Sequence, residues 1–326
     1  MKFSFSIWLK KLFGKIQRIH WPGGLRLWVT CVSISFIGVA LFSHGAQLRR
    51  LSLSASDWWW LSLGVGFSWA SLVVNGIAWR VLVNWLGHHP DEVPLIPLYM
   101  RSNLLKYIPG GFWHFVERIR ALRPVIGAGQ SLAVVMLEPL LMVAAALLLV
   151  PFGGLRSGLA ILCFLPACLL IPRWREPLLY RLEKSKAKQI DRVDHALFTE
   201  LQDELIVSRR DGYPWFPLCM EVVFLFCRFG GFWCCITAFS MQNSLGLGAW
   251  LSGFALAWAT GLVVPAAPGG LGVFEAMLLL MFGGEVSDGP LLAVALSYRV
   301  IVTVADCLAA AGVVSDRLVL HQLLKD

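Results

Sequence analysis

Five ionisable residues, Glu138, Glu221, Arg228, Arg299 and Asp306, stand inside long apolar runs, and Glu275 stands at the edge of another. Charged side chains at membrane depth are costly and mark functional positions by default. Glu221 and Arg228 are seven residues apart, as are Arg299 and Asp306, so each pair shares one helix face two turns apart. Neither pair can close within its own helix, and partners must come from neighbouring helices. Arginine suits bidentate contact with phosphate. A pocket with the four carboxylates in the cytoplasmic half and the two arginines deeper would accept a zwitterionic or phosphate-bearing headgroup. Structural ion pairs that only lock a helix bundle stand beside this as the bland alternative.

Other chemistry finds little support. The eight cysteines form no CxxC or Cys/His ligand spacing, and most lie in apolar segments, for example Cys31, Cys163, Cys168, Cys227 and Cys307. They read as small buried hydrophobes. His88 and His89 match no ligand pattern, so no metal is expected. No G-x-x-x-x-G-K-[ST] stretch is present, which argues against ATP hydrolysis within the chain, and no cofactor or catalytic residue is assigned. A membrane-embedded transferase would need an acidic site on one aqueous side, where Asp57, Glu285 and Asp288 are isolated. That is the competing function, with an accessory structural subunit as a third.

Two interruptions resemble each other: NLLKYIPGGFWHFVER from Asn103 to Arg118 and PAAPGGLGVFEA from Pro265 to Ala276. Each places Pro-Gly-Gly before a Phe and a Glu, at Pro109, Gly110, Gly111, Phe115 and Glu117, then at Pro268, Gly269, Gly270, Phe274 and Glu275. Proline removes a backbone donor and glycine admits conformations closed to other residues, leaving amides and carbonyls free to face a ligand. In lipid, irregular backbone survives only where protein or a watery cavity covers it. Breaks at matching positions of two halves point to a transporter's substrate site. Arg101, Asn103, Lys106, Tyr107, Trp113 and Gly272 flank these breaks and join the expected substrate-binding set. Trp113 doubles as an interfacial anchor.

The elements that must position these residues are membrane helices. The 326 residues are 57% hydrophobic and only 15% charged, against about 25% charged in an ordinary soluble domain. Mean hydropathy is +0.69. The net charge of +8 comes from basic residues scattered in short connections, without the stripe or module that nucleic acid requires. With about 20 apolar residues per crossing, crossings are expected at Leu25–Ser43, Trp58–Val83, Leu132–Val150, Leu159–Ile171, Trp215–Phe239, Leu245–Val264, Leu271–Phe282 and Leu291–Val314. The predicted fold is an all-α polytopic membrane bundle of about eight crossings. Each four-crossing half carries one broken segment, which makes the repeat parallel unless a break is a re-entrant hairpin.

Sidedness follows from Lys and Arg, which stay on the cytoplasmic side. Residues up to Arg26 carry six, Arg80 to Arg123 six, Arg173 to Arg210 nine, and the end of the chain two, so 23 of 28 fall on one side. Both termini are therefore expected on the cytoplasmic side of the cell (plasma) membrane. Residues 1–24 hold a predicted interfacial helix, Phe5 to Ile19. Residues 25–314 form the membrane domain, with a cytoplasmic amphipathic linker at 173–214, and 315–326 form a short tail.

The stretch Arg101, Asn103, Lys106, Tyr107, Ile108, Pro109, Gly110, Gly111 and Trp113, with the second Pro-x-x-Pro-Gly-Gly-Leu-Gly-Val-x-Glu-Ala stretch, resembles the hallmark segments of the lysylphosphatidylglycerol synthase transmembrane-domain family. The resemblance covers roughly Leu25 to Val314 and implies a flippase-like membrane part. Full synthases in that family carry a large soluble catalytic domain after it, whereas this sequence stops at Asp326. The resemblance therefore implies a stand-alone flippase-like protein, without carrying over aminoacyl transfer. Its expected partners are membrane lipids, anionic or zwitterionic phospholipid above all, with a homo-oligomer or a separate lipid-modifying enzyme as further partners and no nucleic acid.

Overall fold

The computed structural model describes residues 54–107, 112–153, 163–191, 197–199, 201, 212–264 and 272–323. The expected Phe5–Ile19 helix, the Leu25–Ser43 crossing and both Pro-Gly-Gly triplets lie outside these residues, as does the start of the expected Leu159–Ile171 crossing, up to residue 162. Among the described residues the chain is helical, and its only bridge is isolated, between Gly283 and Val286. In chain order the helices are α1 (Ala55–Trp85), α2 (Leu95–Asn103), α3 (Trp113–Ile126), α4 (Ala128–Leu149), α5 (Leu165–Leu169), α6 (Pro172–Ile190), α7 (Trp215–Ala238), α8 (Leu247–Val263), α9 (Val273–Phe282) and α10 (Asp288–Leu323). Short 3-10 turns extend α2 at Leu104–Tyr107 and α4 at Val150–Gly153.

Four of these are long and apolar enough to cross a membrane: α1, α4 with its 3-10 extension, α7, and α10 from Asp288 to Val313. The protein is a multi-pass integral membrane protein. α8 and α9 are apolar but shorter. At 1.5 Å per residue, the nine residues of α2 span about 13 Å and the ten of α9 about 15 Å, against a hydrocarbon layer of about 30 Å.

The helices repeat. Ala55, Trp113 and Ala128 open α1, α3 and α4, and Trp215, Val273 and Asp288 open α7, α9 and α10, each 160 residues later. The packing is reciprocal: α1 lies on α7, α1 on α10 as α7 on α4, and α2 on α10 as α8 on α4. The repeating unit is thus a long helix, two shorter ones around the break, and a second long helix. It begins at α1, one segment later than the four-crossing halves expected from hydropathy.

Orientation follows from paired contacts. Gly64 approaches Ile301, and Leu72 packs with Ala309, at the same shift in numbering, so α1 and α10 run parallel. α1 and α7 instead run antiparallel, with Gly64 and Ser68 against Gly231 and Phe67 against Gly230 near one end, and Trp79 and Glu221 both grouped with Tyr99 and Arg118 at the other. A Cβ on Gly231 would stand 2.7 Å from the Ser68 hydroxyl, so close approach there requires glycine. The two units are inverted relative to each other. The parallel repeat expected from four full crossings per half does not hold, because the limbs around each break turn back.

The first turn is made by α2 and α3. His88, just after α1, lies 3.4 Å from Gln130 at the start of α4, so the chain returns to the face it left. The second is made by α8 and α9, where Phe282 packs on Gly253 and meets the Trp250 ring edge to face at 5.0 Å. Gly153 at the end of α4 sits against Ser252 and Gly248, placing this second hairpin's mouth at the opposite face. α6 lies at the face of the first hairpin, with Arg175 over the Trp85 ring and Lys186 over the Phe115 ring.

Candidate functional site

α10 carries the centre of the site. Asp306 is 1% exposed and gathers three side chains from the approach to the first break. Lys106 Nζ lies 2.6 Å from its Oδ2, the Tyr107 hydroxyl donates to the same oxygen at 2.6 Å, and Asn103 Nδ2 donates to Oδ1 at 3.0 Å. The 3-10 turn that ends α2 makes this convergence feasible, because its winding of about three residues per turn aligns Asn103 with Lys106 and sets Tyr107 beside them. Thr303, one turn earlier on α10, lies 3.4 Å from the Tyr107 hydroxyl.

Arg228 approaches from α7. Its nearest Nη stands 4.0 Å from Asp306 Oδ1, at the limit of an ion pair. The side chain is 5% exposed, and its Nε and Nη1 have no partner among the described residues. The Phe224 ring lies 5.5 Å below the guanidinium. Two donors of a fixed planar fork therefore remain open in an almost dry setting.

The second break is met from the other direction. Gly272 has φ +81°, a backbone conformation that favours glycine, and N-caps α9. Its amide donates to Glu275 Oε2 at 2.8 Å, and Arg299 Nε donates to Glu275 Oε1 at 2.9 Å. The Arg299 guanidinium also lies 5.0 Å from the Phe274 ring. Phe274, Phe232, Phe254 and Tyr298 pack edge to face or tilted around this end, which keeps water out. Together, Lys106, Arg228 and Arg299 oppose Asp306 and Glu275, three cations against two acids along two turns of α10.

A separate polar cluster lies in the first unit, two turns from Arg228 along α7 toward the face of the first hairpin. Arg118 on α3 donates through Nη1 to Glu138 Oε2 at 2.7 Å and through Nε to the Ser102 hydroxyl at 2.9 Å. The Tyr99 hydroxyl donates to Glu138 Oε1 at 2.6 Å. The guanidinium is layered on the Tyr99 ring at 3.9 Å, with the Trp79 ring 5.4 Å away. Glu221 on α7 belongs to this group electrostatically, yet its Oε2 has no partner. Arg101 and Glu117 bridge the two limbs of the first hairpin at 2.8 Å in a partly exposed position. Trp113 stacks on Phe112.

The structure therefore joins Asn103, Lys106, Tyr107, Arg228 and Asp306, joins Gly272, Glu275 and Arg299 beside them, and sets Glu138 and Glu221 apart. Pro109, Gly110, Gly111, Pro268, Gly269 and Gly270 fall outside the described residues. The expected ordering of four carboxylates in one half with arginines deeper changes. Asp306 shares the depth of Arg228, and Glu275 pairs with Arg299 two turns nearer the opposite face, because the second hairpin enters from that face. Arg118, Tyr99 and Ser102 escaped the sequence reading. Arg118 counted as one more basic loop residue, although the apolar positions Val116, Ile119 and Leu122 at helical spacing around it signalled a buried helix.

No curated protein matches the chain. The family described as "Lysylphosphatidylglycerol synthase TM region" matches residues 26–310, which include all ten helices up to the last turns of α10 and both break motifs. The chain belongs to the lysylphosphatidylglycerol synthase transmembrane-region family.

Proposed function

We propose that this protein binds the headgroup of an anionic or zwitterionic phospholipid between its two hairpins and moves the lipid across the cell membrane, without covalent chemistry. The observation that carries the reading is Arg228. Its two unpartnered nitrogens, buried beside a cluster with one surplus cation, are the donor set that a phosphodiester would complete. Lys106 and Tyr107 from the first break, and Arg299 beside the second, bring further donors to the same stretch of α10. Hairpins that enter from opposite faces would give the headgroup one access route from each side. Membership of a family named for a lipid-modifying synthase supports a lipid as the ligand.

The basic linker and both termini are assigned to the cytoplasm by the charge asymmetry, which puts the mouth of the first hairpin inside. A cysteine introduced at Gln189 on a cysteine-free background should resist membrane-impermeant thiol reagents in intact cells; labelling from outside would reverse the assignment. For transport, full-length protein in vesicles of phosphatidylethanolamine and phosphatidylglycerol should speed exposure of fluorescent phosphatidylglycerol to an external quencher. Arg228→Gln should remove most of that gain while the melting temperature stays near that of the parent. Equal rates in parent and variant, with a lowered melting temperature, would leave Arg228 as a structural ion-pair member.

A further inference from the structure

The Glu138 cluster is not used by the proposed headgroup site, and its charges do not balance. Among the described residues Arg118 is the one cation within it, and both Arg118 nitrogens named above are engaged, one by Glu138 and one by Ser102. Both Glu138 oxygens are engaged as well, by Arg118 and Tyr99. Glu221 is then a second acid that feels the same single cation but forms no ion pair with it, 1% exposed, its Oε2 unpartnered. A lone carboxylate removed from water at membrane depth is among the costliest groups a protein can hold. A single proton on it would make the cluster neutral.

Geometry favours a proton over a metal ion. Sodium or a divalent cation requires several oxygen ligands, and no group of three or more His, Cys, Asp or Glu suited to a metal occurs among the described residues. A proton needs one carboxyl oxygen and an acceptor. Asn75 Oδ1 on α1 is a second buried oxygen without a partner. The antiparallel pairing of Phe67 with Gly230 and Ser68 with Gly231 puts Asn75 within a turn of the level of Glu221. Two acceptor oxygens cannot satisfy each other, whereas a carboxylic acid can donate to an amide carbonyl.

The groups facing Glu221 from the packed elements are Glu138 on α4, Arg118 on α3 and Tyr99 on α2. α8 carries no ionisable residue; on α1, Asp57 lies far toward the start, and Arg80, about a turn beyond the level of Glu221, is exposed and off the buried helix face that carries Asn75. On α10, Asp306 is bound to Lys106 and Tyr107, and its partner Arg228 lies two turns from Glu221 along α7.

We infer that Glu221 is a membrane-buried proton site: its carboxyl holds one exchangeable proton when the helices pack as they do here, and releases it to water, becoming a carboxylate, when the α4–α7 contact opens. That the proton drives lipid movement rests on the function proposed above; that the site exists does not. Infrared difference spectra of the purified full-length protein, in H2O and D2O between pH 6 and 8, read the two separately from transport. Expected is a protonated-carboxyl C=O band, shifted by deuterium and lost in Glu221→Gln, with the variant keeping its melting temperature. A spectrum without that band, a band that survives Glu221→Gln, or a band erased by sodium chloride but not by choline chloride would overturn the proton site. In vesicles of phosphatidylethanolamine and phosphatidylglycerol carrying fluorescent phosphatidylglycerol, a pH gradient should change the parent's rate several-fold and leave Glu221→Gln unchanged. Gradient-insensitive transport by the parent, with the band present, would retain the site and reject the coupling.

Discussion

The two hairpins are built alike and charged oppositely. In the first, the returning limb α3 supplies the cation, Arg118, and the following long helix α4 supplies the acid, Glu138. In the second, the returning limb α9 supplies the acid, Glu275, and the following long helix α10 supplies the cation, Arg299. The first pair is sealed, with side chains 2% and 3% exposed, and is further held by Tyr99 and Ser102. The second leaves Arg299 21% exposed and opens toward Lys106, Arg228 and Asp306. The same pair of helices thus carries a lock in one unit and part of the candidate pocket in the other. An ion pair fixes a hairpin only when both charges are withdrawn from water and every donor is engaged.

The sharpest way to break this contrast is to remove the sealed pair. Arg118→Ala leaves Glu138 buried and uncompensated, and should cost about 3 to 5 kcal/mol, measured by thermal unfolding in detergent. Arg118→Met with Glu138→Leu should recover most of that loss. A single Arg118→Ala variant as stable as the parent would mean that the first hairpin is no lock.

At the second hairpin the equivalent change should be milder. Glu275→Ala removes the acceptor of the Gly272 amide and one partner of Arg299, and losses of this capping kind run to about 0.5–2 kcal/mol. Fluorescent phosphatidylglycerol binding should fall more than stability does, since Arg299 loses its orientation. A stability loss as large as that of Arg118→Ala would erase the difference between the hairpins.

The helix laid across the first hairpin offers a pH test. Burial of Glu183 on α6 pushes its carboxyl from 4.5 up to about 7. The folded state then binds more protons than the unfolded state between those values, so this group's contribution to stability is fully present below about pH 4.5, declines as pH rises between the two values, and is lowest above about 7. Glu183→Gln should flatten that slope and raise the neutral-pH melting temperature. An unchanged slope in the variant would assign the pH dependence elsewhere. Smallest of all, Arg101→Ala breaks only a partly exposed pair with Glu117 and should cost less than about 1 kcal/mol; a larger drop in a melting experiment would make this bridge a second lock.

Much of the molecule was legible in its residues. Apolar length and charge scarcity demanded membrane helices, because continuous apolar runs this long satisfy their backbone in lipid as helices, whereas barrel strands are short and alternate. The seven-residue spacings of Glu221 with Arg228 and of Arg299 with Asp306 required partners on other helices. Arg228, Arg299 and Asp306 have them, while Glu221 Oε2 is left without one. The two Pro-Gly-Gly motifs announced a repeat and flanked the residues that converge on α10. Hydropathy could not reveal that α2 and α3, or α8 and α9, turn back. An apolar segment reads the same whether it crosses or returns, and direction along the membrane normal leaves no trace in composition. Only the packing of α1 against α7 and α10 decides that the units are inverted. Likewise, a count of basic residues treats Arg118 as solvated, whereas the neighbours that bury it, Trp79, Tyr99 and Glu138, come from three other helices. Which charges pair, and which donors of Arg228 stay open, depends on contacts between residues far apart in the chain, and tertiary structure alone sets those distances.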